Sequence, residues 1–290
     1  MMDQAQIETE VAALEEGTAF IDGGRLRKTE VAGAEATIWL NDLLTAGVRL
    51  LEEGQAVRSL LLSPTGHIRA DVHVVRRLDS FLLLQDPEQP TAVSSLLEPY
   101  VLSSAVELRD VTEKLGMTAI SERVAGMIAR TGSHPSIFGP GMDLIFPASE
   151  AWKIDTMLLK KNLVEASPAA VDAWRIGRGV VRFPVDVGED SIPAEAGLDA
   201  LVDFTKGCFL GQESVARVRN LGHPSKVVIA LRADGPVAEG EAVVCDGREA
   251  GFVTSATSVR GIRVLLARVT WEFRESALST STGVRLSPRT

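Results

Sequence analysis

After His223-Pro224 the chain changes character, and this change limits its architecture more than any other feature. Residues 226–288 alternate short apolar runs, at 227–231, 242–245, 251–255 and 264–269, with glycine turns. Runs this short, bounded by turn residues, suit antiparallel strands rather than long helices. A small antiparallel barrel or sandwich is expected there, with a boundary near residue 224. At 290 residues the chain exceeds what one hydrophobic core usually supports. The expected division is an α+β region over residues 1–224, built as two interleaved subdomains, and a C-terminal β-domain over 225–290.

The region before the boundary mixes both periods. Residues 36–51 carry an apolar helical face of Ile38, Leu40, Leu43 and Leu44, ending near Gly47 and Gly54. A hairpin follows: strand 57–62, the turn Ser63-Pro64-Thr65-Gly66, and return strand 68–76. In the return strand Ile68, Ala70, Val72 and Val74 alternate with Arg69, Asp71, His73 and Val75, which predicts one buried face and one facing a cleft or solvent. Further strands are expected at 81–84, 106–111, 117–121 and 142–146. Helices are expected at 90–99, 122–130, 149–163 (anchored by Trp152, Ile154, Met157 and Leu158) and 168–178. Residues 179–197, rich in proline, glycine and acid, read as an irregular segment of the kind that carries binding residues.

Hydrophobic residues make up 45% and charged residues 24%, as in ordinary globular proteins, and the net charge of −9 argues against broad phosphate-tracking nucleic-acid binding. Cys208 and Cys245 cannot build a disulfide framework, which suits a reducing, cytoplasmic compartment. His67, His73, His134 and His223 are scattered without ligand spacing and read as ordinary polar or turn residues, so no dedicated metal site is expected. The N-terminus lacks the pattern of a secretory signal, and no apolar run approaches a membrane span.

The chemistry concentrates in Phe204-Thr205-Lys206-Gly207-Cys208-Phe209-Leu210-Gly211-Gln212-Glu213. A thiol stands two residues from a lysine, between two glycines that let backbone approach a ligand. A nearby ammonium favours the nucleophilic thiolate. The bland alternative is a turn carrying an inert cysteine. This decapeptide closely resembles the K-G-C-[FY]-x-G-Q-E motif of the YgfZ-type folate-binding proteins, relatives of the glycine-cleavage T-protein that act in iron–sulfur cluster maturation or repair. Leu43-Leu44-Thr45 with Gly47-Val48 is similar to the family's L-L-T-x-D-V element, with Gly47 in place of the aspartate. The stretch 63–68 with Asp71 resembles the family's hairpin, and Arg175 through Leu198 resembles the segment before the cysteine motif. Gly251-Phe252-Val253-Thr254-Ser255-Ala256 resembles a recurrent strand of the third domain.

The resemblance implies three domains around a central opening that binds tetrahydrofolate or a folate derivative. It implies that Glu195 presents its carboxylate to the N–H edge of the pterin ring. It further implies an essential Cys208 for redox chemistry, persulfide transfer or transient iron ligation, while Lys206 either favours the thiolate or binds the folate's glutamate tail or another anion. Asp71 admits two readings: a catalytic carboxylate, which in the T-protein takes part in methylene transfer near the folate and can orient or charge-stabilise an amine, or a strand residue paired with Arg69 or Arg76. Arg217 and Arg219 either meet the folate's glutamate tail or form a charged edge-strand face, and Arg175 joins Arg217 as a candidate for binding the cofactor. Glu213 either orients the cysteine loop or opens the next helix. The tryptophans read as core or interdomain packing. The implied function is a tetrahydrofolate-binding, transferase-like protein that serves iron–sulfur client enzymes or assembly proteins, without nucleic-acid or membrane partners. The alternative is a folate-dependent aminomethyltransferase.

Overall fold

The structure, a computed structural model, describes residues 3–102, 104–128, 133–136 and 139–289. The chain forms two compact units. The first comprises Met1–Ser63, Arg69–Val171 and Leu201–Leu210, and the second Pro64–Ile68, Asp172–Ala200 and Gly211–Thr290.

The first unit runs α1 (Gln4–Glu16), β1 (Ala19–Asp22), β2 (Arg27–Ala32), α2 (Ala36–Leu43), β3 (Ala56–Leu62), β4 (Ile68–Arg76) and β5 (Ser80–Gln85). It continues with α3 (Val93–Leu97), β6 (Glu107–Asp110), β7 (Leu115–Ile120), α4 (Glu122–Ile128), β8 (Ser133–Pro135), β9 (Met142–Pro147), α5 (Ala151–Lys160) and β10 (Val164–Glu165). The strands make two five-stranded sheets, ordered β3-β4-β5-β2-β6 and β10-β1-β7-β9-β8. Strand alternation gives each sheet two faces to bury. Val72, Val74, Phe81 and Leu83 pack under α2 and α3. Leu144 and Phe146 pack under α4 and α5. Val75, Leu82 and Leu84 meet Met117 and Ile145 in a layer between the sheets.

That inner layer corrects the reading of β4. Both of its faces are buried, so Asp71 and His73 point into protein rather than solvent. Burial, with the charges of Arg58 and His134, holds the His73 imidazole well below its ordinary pKa. His134 pairs with Asp143 across β8 and β9 at 3.4 Å, fully buried. These two histidines are therefore core residues, not turn residues. Trp152 is a second correction: it is 64% exposed, and Ile154 and Leu158 anchor α5 without it. The helix read over 36–51 stops at Leu43, because Leu44 turns extended and bridges to Leu61.

The second unit holds most of α6 (Pro168–Arg178), then α7 (Gln212–Leu221) and strands β11 (Lys226–Ala233), β12 (Ala242–Cys245), β13 (Arg248–Val259), β14 (Ile262–Thr270), β15 (Leu278–Thr280) and β16 (Arg285–Pro288). The strands close as a barrel in the order β11-β14-β13-β12-β15-β16, which decides between the barrel and the sandwich. Leu231, Val253, Leu265, Ala267 and Val269 fill it. Cys245 is buried among them, as its strand pattern indicates. Arg217 and Arg219 lie on α7, so the edge-strand alternative falls, and Glu213 sits in that helix's first turn. Among the described residues no helix is long and apolar enough to cross a membrane.

Candidate functional site

In the first unit the Cys208 loop is tied to the C-terminal end of α2. Asp203 N–H donates to the Thr45 carbonyl at 3.0 Å, and Leu210 N–H to the Asp42 carbonyl at 3.0 Å. Between these ties the Lys206 ammonium donates to the Asn41 carbonyl. Carbonyls in a helix's last turn lack intrahelical partners and carry the negative end of the dipole, so a lysine is well placed there. The Lys206 ammonium also lies 5.2 Å from the centre of the Phe209 ring. Phe209 is buried, whereas Cys208 beside it is exposed at the tip of the loop. Burial draws the Lys206 pKa down to about 8, against the opposing pull of Asp42, Asp203 and Cys208.

Gly47 explains itself in this setting. A Cβ at that position would stand 2.8 Å from Asp203 Oδ2. Any side chain at this position would meet a carboxylate from the cysteine loop. Asp203 also accepts from the Thr205 N–H at 2.8 Å and the Thr205 hydroxyl at 2.6 Å, which fixes the first turn of that loop.

Asp71 belongs to the same unit but is already engaged. Arg58 grips it from the neighbouring β3 through Nε at 3.0 Å and a terminal nitrogen at 2.5 Å. Its partner is thus Arg58, not Arg69 or Arg76. Gln89 fixes its backbone, accepting from the Asp71 N–H at 3.1 Å and donating to its carbonyl at 2.7 Å.

In the second unit Glu195 lies in a tight turn after Ile192, and its carbonyl accepts from the Val228 N–H of β11 at 3.0 Å. Glu195 is buried, 7% exposed, and its carboxylate takes two bonds: the Ser225 hydroxyl at 2.8 Å and the Arg268 guanidinium at 3.1 Å. A carboxylate offers about four acceptor sites, so capacity remains for an N–H edge of a ligand. Arg217 is exposed on α7 of this unit. Arg175 is different: buried, it donates to Asp172 at 2.6 Å, Asp186 at 2.7 Å, the Val180 carbonyl at 3.1 Å and Ser255 at 2.9 Å. So engaged, Arg175 ties α6 to the irregular segment and to β13.

Sequence reasoning singled out Cys208, Lys206, Glu195 and Asp71 but not Arg58, Asn41, Ser225 or Arg268, which orient them. Those partners stand 13 to 165 residues away, and only strand register and loop docking bring them close. Among the described residues no group of three or more His, Cys, Asp or Glu side chains could hold a metal ion.

This architecture, two antiparallel sheets with packed helices and a closed C-terminal barrel, is that of the glycine-cleavage aminomethyltransferases. The crystal structure of glycine cleavage system aminomethyltransferase T from Bartonella henselae superposes with a TM-score of 0.86 at 18% identity, over 98% of this chain and 88% of that one. Residues 2–125 match the GCVT N-terminal domain family. Similar proteins include aminomethyltransferases of Rubrobacter xylanophilus (26% identical, covering 87% of this chain and 76% of the relative) and Alcanivorax borkumensis (23%, covering 91% and 81%). A chloroplastic protein of Arabidopsis thaliana described as a transferase is 22% identical over 84% of this chain, which spans 63% of that relative's length. These matches show the fold and make the chain similar to GcvT-like aminomethyltransferases, with the family model covering residues 2–125.

Proposed function

We propose that this protein binds tetrahydrofolate and assists the assembly or repair of iron–sulfur enzymes, as a YgfZ-type member of the superfamily. The observation that carries the proposal is the Cys208 loop. Its thiol is exposed while the residues around it are fastened to α2 by the Lys206 and Leu210 bonds and to Thr45, just beyond that helix, by the Asp203 bond. A structural cysteine would be buried, as Cys245 is. Glu195, with acceptor capacity to spare, suits the 2-amino-4-oxo edge of a pterin, and exposed Arg217 suits the glutamate tail. The bound folate would supply a carbon-unit carrier or a docking group. The chain's own part is to hold it by Glu195 and to keep Cys208 accessible for thiol, persulfide or iron chemistry with a client protein.

The second reading, a folate-dependent aminomethyltransferase, draws on the names of the relatives. It needs a carboxylate such as Asp71 available to a substrate amine. Arg58 holds Asp71 by two bonds, as Ser225 and Arg268 hold Glu195, so this reading turns on whether the spare acceptor sites of Asp71 meet a substrate amine. Two assays separate the readings. Replacement of Cys208 by Ser or Ala is expected to abolish support of cluster-enzyme activity in cells depleted of the protein, and parental activity in both variants overturns the proposal. Robust methylene transfer from an aminomethylated lipoyl carrier, lost in Asp71→Asn, would establish the second reading instead.

A further inference from the structure

We infer that Arg268 is the positioning residue that aims the Glu195 carboxylate, an inference that rests on the folate reading above. Arg268 lies on β14, flanked by Val228 of β11 and Phe252 of β13. The alternate residues Ala267 and Val269 point into the barrel, so Arg268 points outward, yet it is only 8% exposed. The loop before Leu198 covers it. One terminal nitrogen donates to Asp190 Oδ1 at 3.3 Å and Oδ2 at 3.1 Å, and the other to Glu195 Oε2 at 3.1 Å. Its Nε is buried without a hydrogen-bond partner. The two terminal nitrogens therefore set the plane of the guanidinium, with Asp190 holding one side and Glu195 the other.

The backbone registers with the same rung. Val228, which pairs with Arg268, is also the residue whose N–H holds the Glu195 carbonyl. On the other side a Cβ at Gly251 would stand 2.1 Å from the Arg268 carbonyl oxygen, so only glycine lets β13 approach there. Both the main chain and the side chain of Glu195 are thus referred to one position of the barrel. Ser225 then fixes Oε1, and the carboxylate has one orientation in which to meet a planar N–H edge. Phe252, a partly exposed ring directly across from Arg268, gives an apolar neighbour suited to a flat heterocycle.

A double-mutant cycle tests this with tetrahydrofolate as the calorimetric probe. Arg268→Gln is expected to weaken binding about tenfold, with Arg268→Lys recovering part of the loss. If Arg268 acts through Glu195, the pair Glu195→Gln/Arg268→Gln binds within about twofold of Glu195→Gln alone. Losses that multiply in the double variant overturn the inference and leave the folate reading standing. No binding by the parent overturns the folate reading and removes the inference with it. Melting curves check the fold of each variant. Should Arg268→Gln lose its transition, the same cycle is read with Arg268→Lys, which keeps the charge but not the fork.

Discussion

Lys206 shows how one residue carries two demands. Its ammonium caps the end of α2, and its partial burial makes that charged form costly. The sign follows from its lowered pKa of about 8 against the ordinary 10.5. Below pH 8 both folded and unfolded chains hold the proton, and the folded state bears the full cost of a half-buried charge. Between about 8 and 10.5 the folded chain gives up the proton while the unfolded chain keeps it, so stability gains relative to a variant without the amine. Urea midpoints of the parent and Lys206→Met, compared at pH 7 and 9.5, are expected to shift in the parent's favour at the higher pH. An unchanged difference would contradict the burial. At this scale the sequence was legible for the residue types: the thiol, lysine and acids stand out. Their orienting partners were not. Arg58, not the nearer Arg69 or Arg76, grips Asp71, because β3 and β4 set their register at a distance that no local pattern records.

At the scale of elements, the irregular stretch between α6 and α7 keeps its form through Asp186. This buried carboxylate accepts from Arg175 at 2.7 Å, the Arg182 N–H at 2.9 Å, Thr254 at 2.7 Å and Ser255 at 2.6 Å. It ties α6 and the loop to β13, and it gives the Thr254-Ser255 pair of the recurrent strand a physical purpose. Removing one partner of a buried ion pair costs about 3–5 kcal/mol, so Asp186→Ala is expected to lower the urea-derived stability of the chain by that order. A loss under about 1 kcal/mol would show that the network is dispensable. The barrel's long strands could be read directly, whereas β4 was legible as a strand but not in its burial, because a second sheet covers the face that its polar residues mark. α7 was ambiguous because Val215-Ala216-Arg217-Val218-Arg219 mimics a strand over five residues, while its helical identity depends on the buried Val215 face. Strands of two to four residues, such as β10, β15 and β16, carry too little pattern to be seen without their neighbours.

For the whole molecule, the fold persists at 18% identity to a glycine-cleavage enzyme because burial patterns, not particular residues, define its layers. The same tolerance means that architecture alone does not choose between cluster maintenance and aminomethyl transfer. The candidate site residues must do so, and they divide between the two compact units: Cys208, Lys206 and Asp71 in one, Glu195, Arg268 and Arg217 in the other. The central claim is that the Glu195 turn binds folate. Its most direct test is calorimetric titration of tetrahydrofolate into the parent and Glu195→Ala. Saturable binding by the parent, weakened about tenfold or more in the variant, is the predicted result. Equal binding by both proteins, or none by the parent, would contradict the account.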